Sequence, residues 1–177
     1  MSAKNKSLKV IELKTPITEE IINGLSVGDF VEISGTVLCG RDAVLPKLEK
    51  LVTAGSEETL KLLGGAVIFH TAVSPAGIGP TTSNKVEIEG SIPALSKAGV
   101  KIHLGKGALG AETLAALKSA NSLFAITPPT SALFSEKILS KRVVMFPEEG
   151  MEALYAVEVE RLPAIIAIAH GESIFKP

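Results

Sequence analysis

The stretch VKIHLGKGALGAETLAALKSANSLFAI, Val100–Ile126, decides the fold class. Val100–Leu104 reads as a short apolar strand, and the glycine-rich turn Gly105–Gly110 follows it. Ala111–Ala120 reads as a helix, and Leu123–Ile126 as the next strand. Strand, helix and strand in that order point to an α/β domain built on a parallel sheet.

The same alternation extends outward from this unit. On the N-terminal side, Leu8–Leu13 reads as a strand and Thr18–Leu25 as a helix with a hydroxyl at its start and acids in its first turn. Asp29–Leu38 alternates well enough to be a strand. A helical stretch then runs from Asp42, the expected N-cap, to near Gly55. Ser56–Leu63 reads as a further helix, stopped by Gly64 and Gly65, and Ala66–His70 as a strand. The segment Thr71–Lys85 holds prolines, glycines and hydroxyls without periodicity and reads as a long loop, a length that in compact domains tends to carry function. Ser91–Lys97 reads as helix. On the C-terminal side, Thr130–Leu139 reads as mostly helical and Val143–Phe146 as a strand. Ala153–Ala169 reads as two strands broken at Pro163. The N-terminal strands and this tail suggest a second, antiparallel sheet.

The chain has 177 residues, 46% of them apolar, and a net charge of −1. That is enough to bury a core in one domain over 1–177 and is unlike a disordered chain. The charge balance holds no basic stripe, which excludes nucleic acid as the expected partner. Apolar runs such as Ala164–Ala169 fall far short of the roughly 20 residues of a membrane span. The polar start MSAKNKS has no apolar signal core, so the expected compartment is the cytoplasm. One cysteine, Cys39, excludes an internal disulfide. His70, His103 and His170 lack metal-ligand spacing, so no metal site is expected from them.

Three places carry candidate chemistry. Gly105–Gly107 (GKG) lies between a strand and a helix, where backbone N–H groups and Lys106 would meet an anion; it reads equally as a tight turn with an exposed lysine. Gly79–Ser83 (GPTTS) sets two threonines in a rigid Pro/Gly frame with Lys85 beside them. A hydroxyl there can relay a proton if a cation stabilises the alkoxide, or it can simply cap a turn. Arg41, at a strand end, can clamp a carboxylate with both arms of its fork or form a surface ion pair. The acids Glu148, Glu149 and Glu152 read as a solvated turn.

Read together, GDFVEISGTVLCGRDA (Gly28–Ala43), GPTTSNK (Gly79–Lys85), LGKG (Leu104–Gly107) and FPEEGMEALYAVEVERLPAIIAI (Phe146–Ile168) resemble, in order and spacing, a known family. It is the C-terminal domain of class I fumarases and the β subunit of two-subunit fumarases and tartrate dehydratases. The resemblance implies a swivelling β/β/α domain with a parallel central sheet and a second antiparallel sheet. It implies a hydro-lyase of the TCA cycle that reversibly hydrates fumarate to L-malate. A partner α subunit, in a heterotetramer, would hold a [4Fe–4S] cluster on three cysteines, with an open iron acting on a dicarboxylate substrate. By the same resemblance, Arg41, Lys85 and Lys106 would be the substrate-binding cations, Thr82 would join them in binding substrate and would shape the loop, and Thr81 would move the carbon-bound proton. Leu45 stands where the family has a histidine, and Lys85 where it has an arginine. These two departures keep open an altered-specificity or non-catalytic paralogue, acting on tartrate or another 2-hydroxy diacid, and a free-standing anion-binding or assembly module.

Overall fold

The computed structural model describes residues 9–75, 77–81, 85–127 and 136–175, with the side chains of 79–88 excepted. Among these residues the chain forms β1 (Val10–Lys14), α1 (Glu19–Asn23), β2 (Phe30–Gly40), α2 (Leu45–Thr53), α3 (Glu57–Leu63), β3 (Val67–Ser74) and β4 (Gly77–Thr81). There follow α4 (Lys85–Lys97), β5 (Ile102–Gly105), α5 (Ala111–Ala120), β6 (Leu123–Ile126), β7 (Ile138–Met145), a 3₁₀ segment (Pro147–Glu152), β8 (Leu154–Ala169) and β9 (Glu172–Ser173).

Local chemistry explains several boundaries. The hydroxyls of Thr18 and Ser56 each accept from a backbone N–H in the first turn behind them and so start α1 and α3. Asn121 takes the left-handed conformation that ends α5. Gly65, at φ +73, turns the chain from α3 into β3, and a methyl group there would lie 2.9 Å from the carbonyl oxygen of Ile17. We therefore expect Gly65→Ala to lower the free energy of unfolding by roughly 2 kcal/mol. An unchanged denaturant midpoint would show that the turn relaxes at no cost.

Strands β1, β2, β3, β5 and β6 run parallel, as the βα alternation requires. β8 runs antiparallel to β6, β7 and β2, so the pairing β2–β3–β5–β6–β8–β2 closes on itself. The antiparallel strands thus continue the parallel sheet rather than forming a separate one. The inward positions, every second residue, build the main core: Val31 and Ile33 of β2, Phe69 of β3, Leu104 of β5 and Ile166 of β8 are among its members. Outward positions such as Leu38 and Ile68 pack under α2, α3 and α4, with Leu48, Leu63 and Leu95. Ile92 and Leu117 join α4 and α5 to Phe124 and Ile168.

Four expectations are corrected. Thr71–Lys85 is not one long loop in its described residues: Thr71–Ser74 extends β3, Gly77–Thr81 pairs back on it as β4, and Lys85 lies in α4, while 76 and 82–84 lie outside the described residues. Backbone pairing suffices for this hairpin, which therefore needs no alternating side chains. Pro163 does not break the tail, because β8 runs unbroken through it, with Arg161 at φ +54 absorbing the bend. Leu139 lies in β7 rather than in a helix, and 130–135 of that reading lie outside the described residues. The N-cap of α2 is Val44, not Asp42, and no side chain caps it.

Candidate active site

The parallel strands bring the candidate residues to one edge. β2 ends at Gly40, which pairs with His70, and Arg41 is the next residue. Phe69 pairs with Leu104, so Gly105 and then Lys106 emerge beside the same turn of β3. Thr71 pairs with Thr81, the last residue of β4. The backbones of Arg41 and Lys106 therefore lie at the carboxyl ends of β2 and β5, on either side of β3, and that of Thr81 lies beside β3 at Thr71. Lys85, the first residue of α4, is four residues from Thr81 and within roughly 14 Å of it by chain length alone. Thr82 lies outside the described residues, and Thr81 and Lys85 are placed by backbone only.

Gly40 leaves room for the layer of side chains packed beneath α2. A Cβ there would lie 2.8 Å from Val44 and 3.1 Å from Leu154. Leu45 is buried beside it in the layer under the helices, with Leu48 and Leu154, and so fills core volume.

Arg41 is half-buried and faces a carboxylate. Its Nε lies 3.0 Å from Glu152 Oε1, in a direction that makes no hydrogen bond, so the contact is an ion pair only. The acidic turn is thus not merely solvated. Glu152 holds Arg41, and Glu149 and Glu148 pair with Lys47 of α2. At these exposures solvent screens each pair, and none contributes much to stability. Sequence reasoning missed Glu152 because it is distant along the chain and no local pattern links it to Arg41.

The glycine turn is partly spoken for. Glu89 of α4 accepts the N–H of Gly110, the N-cap of α5. A carboxylate from the chain itself thus occupies the donor that an anion would seek at that helix start, and Lys106 remains exposed. This disfavours a free-standing anion site there.

Sequence reasoning also missed a buried polar chain. His70 Nε2 lies 3.0 Å from His103 Nδ1, and His103 Nε2 lies 2.8 Å from Ser96 Oγ of α4. The register sets this up: Ile68 opposes His103, so His70 lies diagonally across from it on the helix-covered face. Both imidazoles are fully buried, and burial holds His70 down to about pKa 4 and His103 well below the usual histidine range. The signal available in sequence was two histidines at outward-facing strand positions.

A [4Fe–4S] cluster does not fit on this chain. It needs several thiolates, and the one cysteine, Cys39, is wholly buried in the inner core, where burial pushes its thiol far up. Among the described residues, no group of three His, Cys, Asp or Glu could hold a metal ion. No helix among them is long and apolar enough to cross a membrane.

The anaerobic class I fumarate hydratase of Escherichia coli (strain K12) is 30% identical over 89% of this chain and 30% of its own length. Fumarate hydratase 2 of Leishmania major is 28% identical over 89% of this chain and 29% of its own. The L(+)-tartrate dehydratase subunit beta of Escherichia coli (strain K12) is 29% identical over 92% of this chain and 85% of its own. The chain therefore spans under a third of these two fumarate hydratases and most of the tartrate dehydratase subunit. The family model described as Fumarase C-terminus matches residues 1–177, and the chain belongs to that family.

Proposed function

We propose that the chain is the β-subunit half of a class I hydro-lyase that adds water to fumarate to give L-malate in the cytoplasm. The observation that carries this reading is the convergence of Arg41, Thr81 and Lys106 on one carboxyl edge, in a chain of the fumarase C-terminal family. Residues 1–177 act as one swivelling domain. A companion α subunit supplies the iron–sulfur cluster, in a heterotetramer. The near full-length match to a dehydratase subunit supports the two-chain arrangement.

At this edge the cations bind and orient the dicarboxylate. Arg41 takes one carboxylate, displacing Glu152, and Lys85 and Lys106 take the other and stabilise the charge that develops as the neighbouring carbon loses its proton. Thr81 carries that proton, and Thr82 shapes the loop around it. Co-expression with a candidate α subunit, followed by a malate–fumarate interconversion assay, tests the reading. Turnover of tartrate but not malate would move the substrate to the related 2-hydroxy diacid. No turnover of either diacid by a complex with its cluster loaded would overturn the hydro-lyase reading.

Lys85 gives a second test. Lysine binds as a point charge, whereas arginine offers a planar fork matched to a carboxylate. In the reconstituted complex, Lys85→Arg should lower KM for the dicarboxylate several-fold. Unchanged KM and kcat would show that Lys85 does not touch substrate.

A further inference from the structure

Among the described residues, two buried side-chain polar atoms have no hydrogen-bond partner: Arg41 Nε and His70 Nδ1. They belong to neighbours. Gly40 pairs with His70, and Arg41 is the next residue along β2. Buried polar atoms are nearly always satisfied, so two such atoms on residues adjacent in strand register ask what ligand group could satisfy both. The 3₁₀ segment that packs against β3 already brings a carboxylate, that of Glu152, onto Arg41. Among the described residues nothing comparable reaches His70 Nδ1.

We infer that His70 is a second donor of the carboxylate site at Arg41, with Nδ1–H presented to the ligand by the chain Ser96–His103–His70. This rests on the carboxylate-binding reading above. The polarity follows from counting protons. A neutral imidazole carries one N–H. If His70 donates through Nδ1, its Nε2 must accept, so His103 donates through Nδ1. His103 Nε2 then accepts from the Ser96 hydroxyl. Every other group in the chain is satisfied in this arrangement, and the one donor left over, His70 Nδ1–H, is available to a ligand. In the reverse arrangement His70 offers a lone pair to a carboxylate, which repels it. Ser96 and His103 are thus positioning residues, and His70 touches the ligand.

Two substitutions separate this role from packing. The amide of asparagine reaches about as far as Nδ1 of histidine, and that of glutamine about as far as Nε2. His70→Asn should therefore keep a donor for the ligand and lose the bond to His103. His70→Gln should keep the bond to His103 and lose the ligand donor. Binding of fumarate, L-malate and L-tartrate is measured by calorimetry on the chain in complex with its companion, and KM and kcat are measured with it. His70→Gln should weaken binding about tenfold with the melting temperature held, whereas His70→Asn should bind near normally with a lowered melting temperature. The reverse pattern overturns the proposal.

Long-range nitrogen–proton NMR of the histidine rings decides the polarity without any ligand. The proposal requires the proton on Nδ1 of both His70 and His103. A proton on Nε2 of His70 overturns it. Ser96→Ala should mix the two tautomers at His103, and a spectrum unmoved by that substitution would also overturn it. These outcomes are distinguishable from failure of the hydro-lyase reading. There, diacids bind and the tautomers stand as required, but no water is added or removed.

Discussion

Replacing Thr81 with valine should lower kcat of the reconstituted complex by 10²–10⁴-fold, about 3–5 kcal/mol of barrier. Valine keeps the volume and the branched shape that a strand residue prefers, so β4 and its pairing to Thr71 should survive. What is lost is the hydroxyl. A hydroxyl is a weak base in water, and its use requires a place where cations favour the alkoxide or polarise a relay. In the proposed site that place is the carboxyl edge, with Arg41 beyond β2 and Lys106 beyond β5 as the cations. Exchange of the substrate's carbon-bound proton with solvent should fall in parallel, while companion binding and melting temperature stay constant. Thr82→Ala should be milder. Near-normal turnover in Thr81→Val would show that the proton moves elsewhere and that the hydroxyl only caps a turn.

Acidification should destabilise the chain by about 3 kcal/mol through His70 alone between pH 6.5 and 4. The folded His70 is held neutral, with its pKa brought from 6.5 down to about 4 by burial. The unfolded chain, with the ordinary value, takes up a proton as pH falls below 6.5, and the folded chain does not. Stability is therefore complete above pH 6.5 and drains away as pH falls toward 4. His103 adds loss in the same direction, because burial and its neighbour His70 both disfavour its charge. For a domain of this size the fall amounts to roughly 10 °C in melting temperature. Glu19 and Glu32, whose carboxyls are lowered by bonds to Lys101 and Arg161, lose their pairs only at lower pH. The span from pH 6.5 to 5 thus belongs to the histidines. Equilibrium denaturation across it should slope in the native chain and flatten when both histidines are replaced by glutamine. A flat profile in the native chain would contradict the buried, neutral pair.

Much of the fold was legible because its signals are local. Ala111–Ala120 and Leu123–Ile126 form as their pattern predicts, and Thr18 and Ser56 announce two helix starts. Where proline entered, local reading stopped short. Pro93 marks the first turn of a helix in sequence, yet α4 begins two turns earlier at Lys85 and carries the proline inside it. Pro163 marks a break, yet the register of β8 against β2 holds across it. At the candidate site, the strand ends that precede Arg41 and Lys106 were legible in sequence. The contacts that depend on register were not: His70 to His103 across β3 and β5, and Glu152 to Arg41 across the length of the chain. Neither is written in any window of neighbouring residues.

The long strand β8 has a consequence for synthesis. It supplies the missing neighbour to both β2 and β6, and it pairs Phe30, made early, with Ile165, made late. Until β8 has emerged from the ribosome, the nascent chain carries two apolar strand edges with no partner. Such edges are templates for pairing with other chains. The nascent chain therefore cannot complete its core before β8 arrives and must be shielded until then. Such shielding is the kind of task a ribosome-proximal chaperone performs.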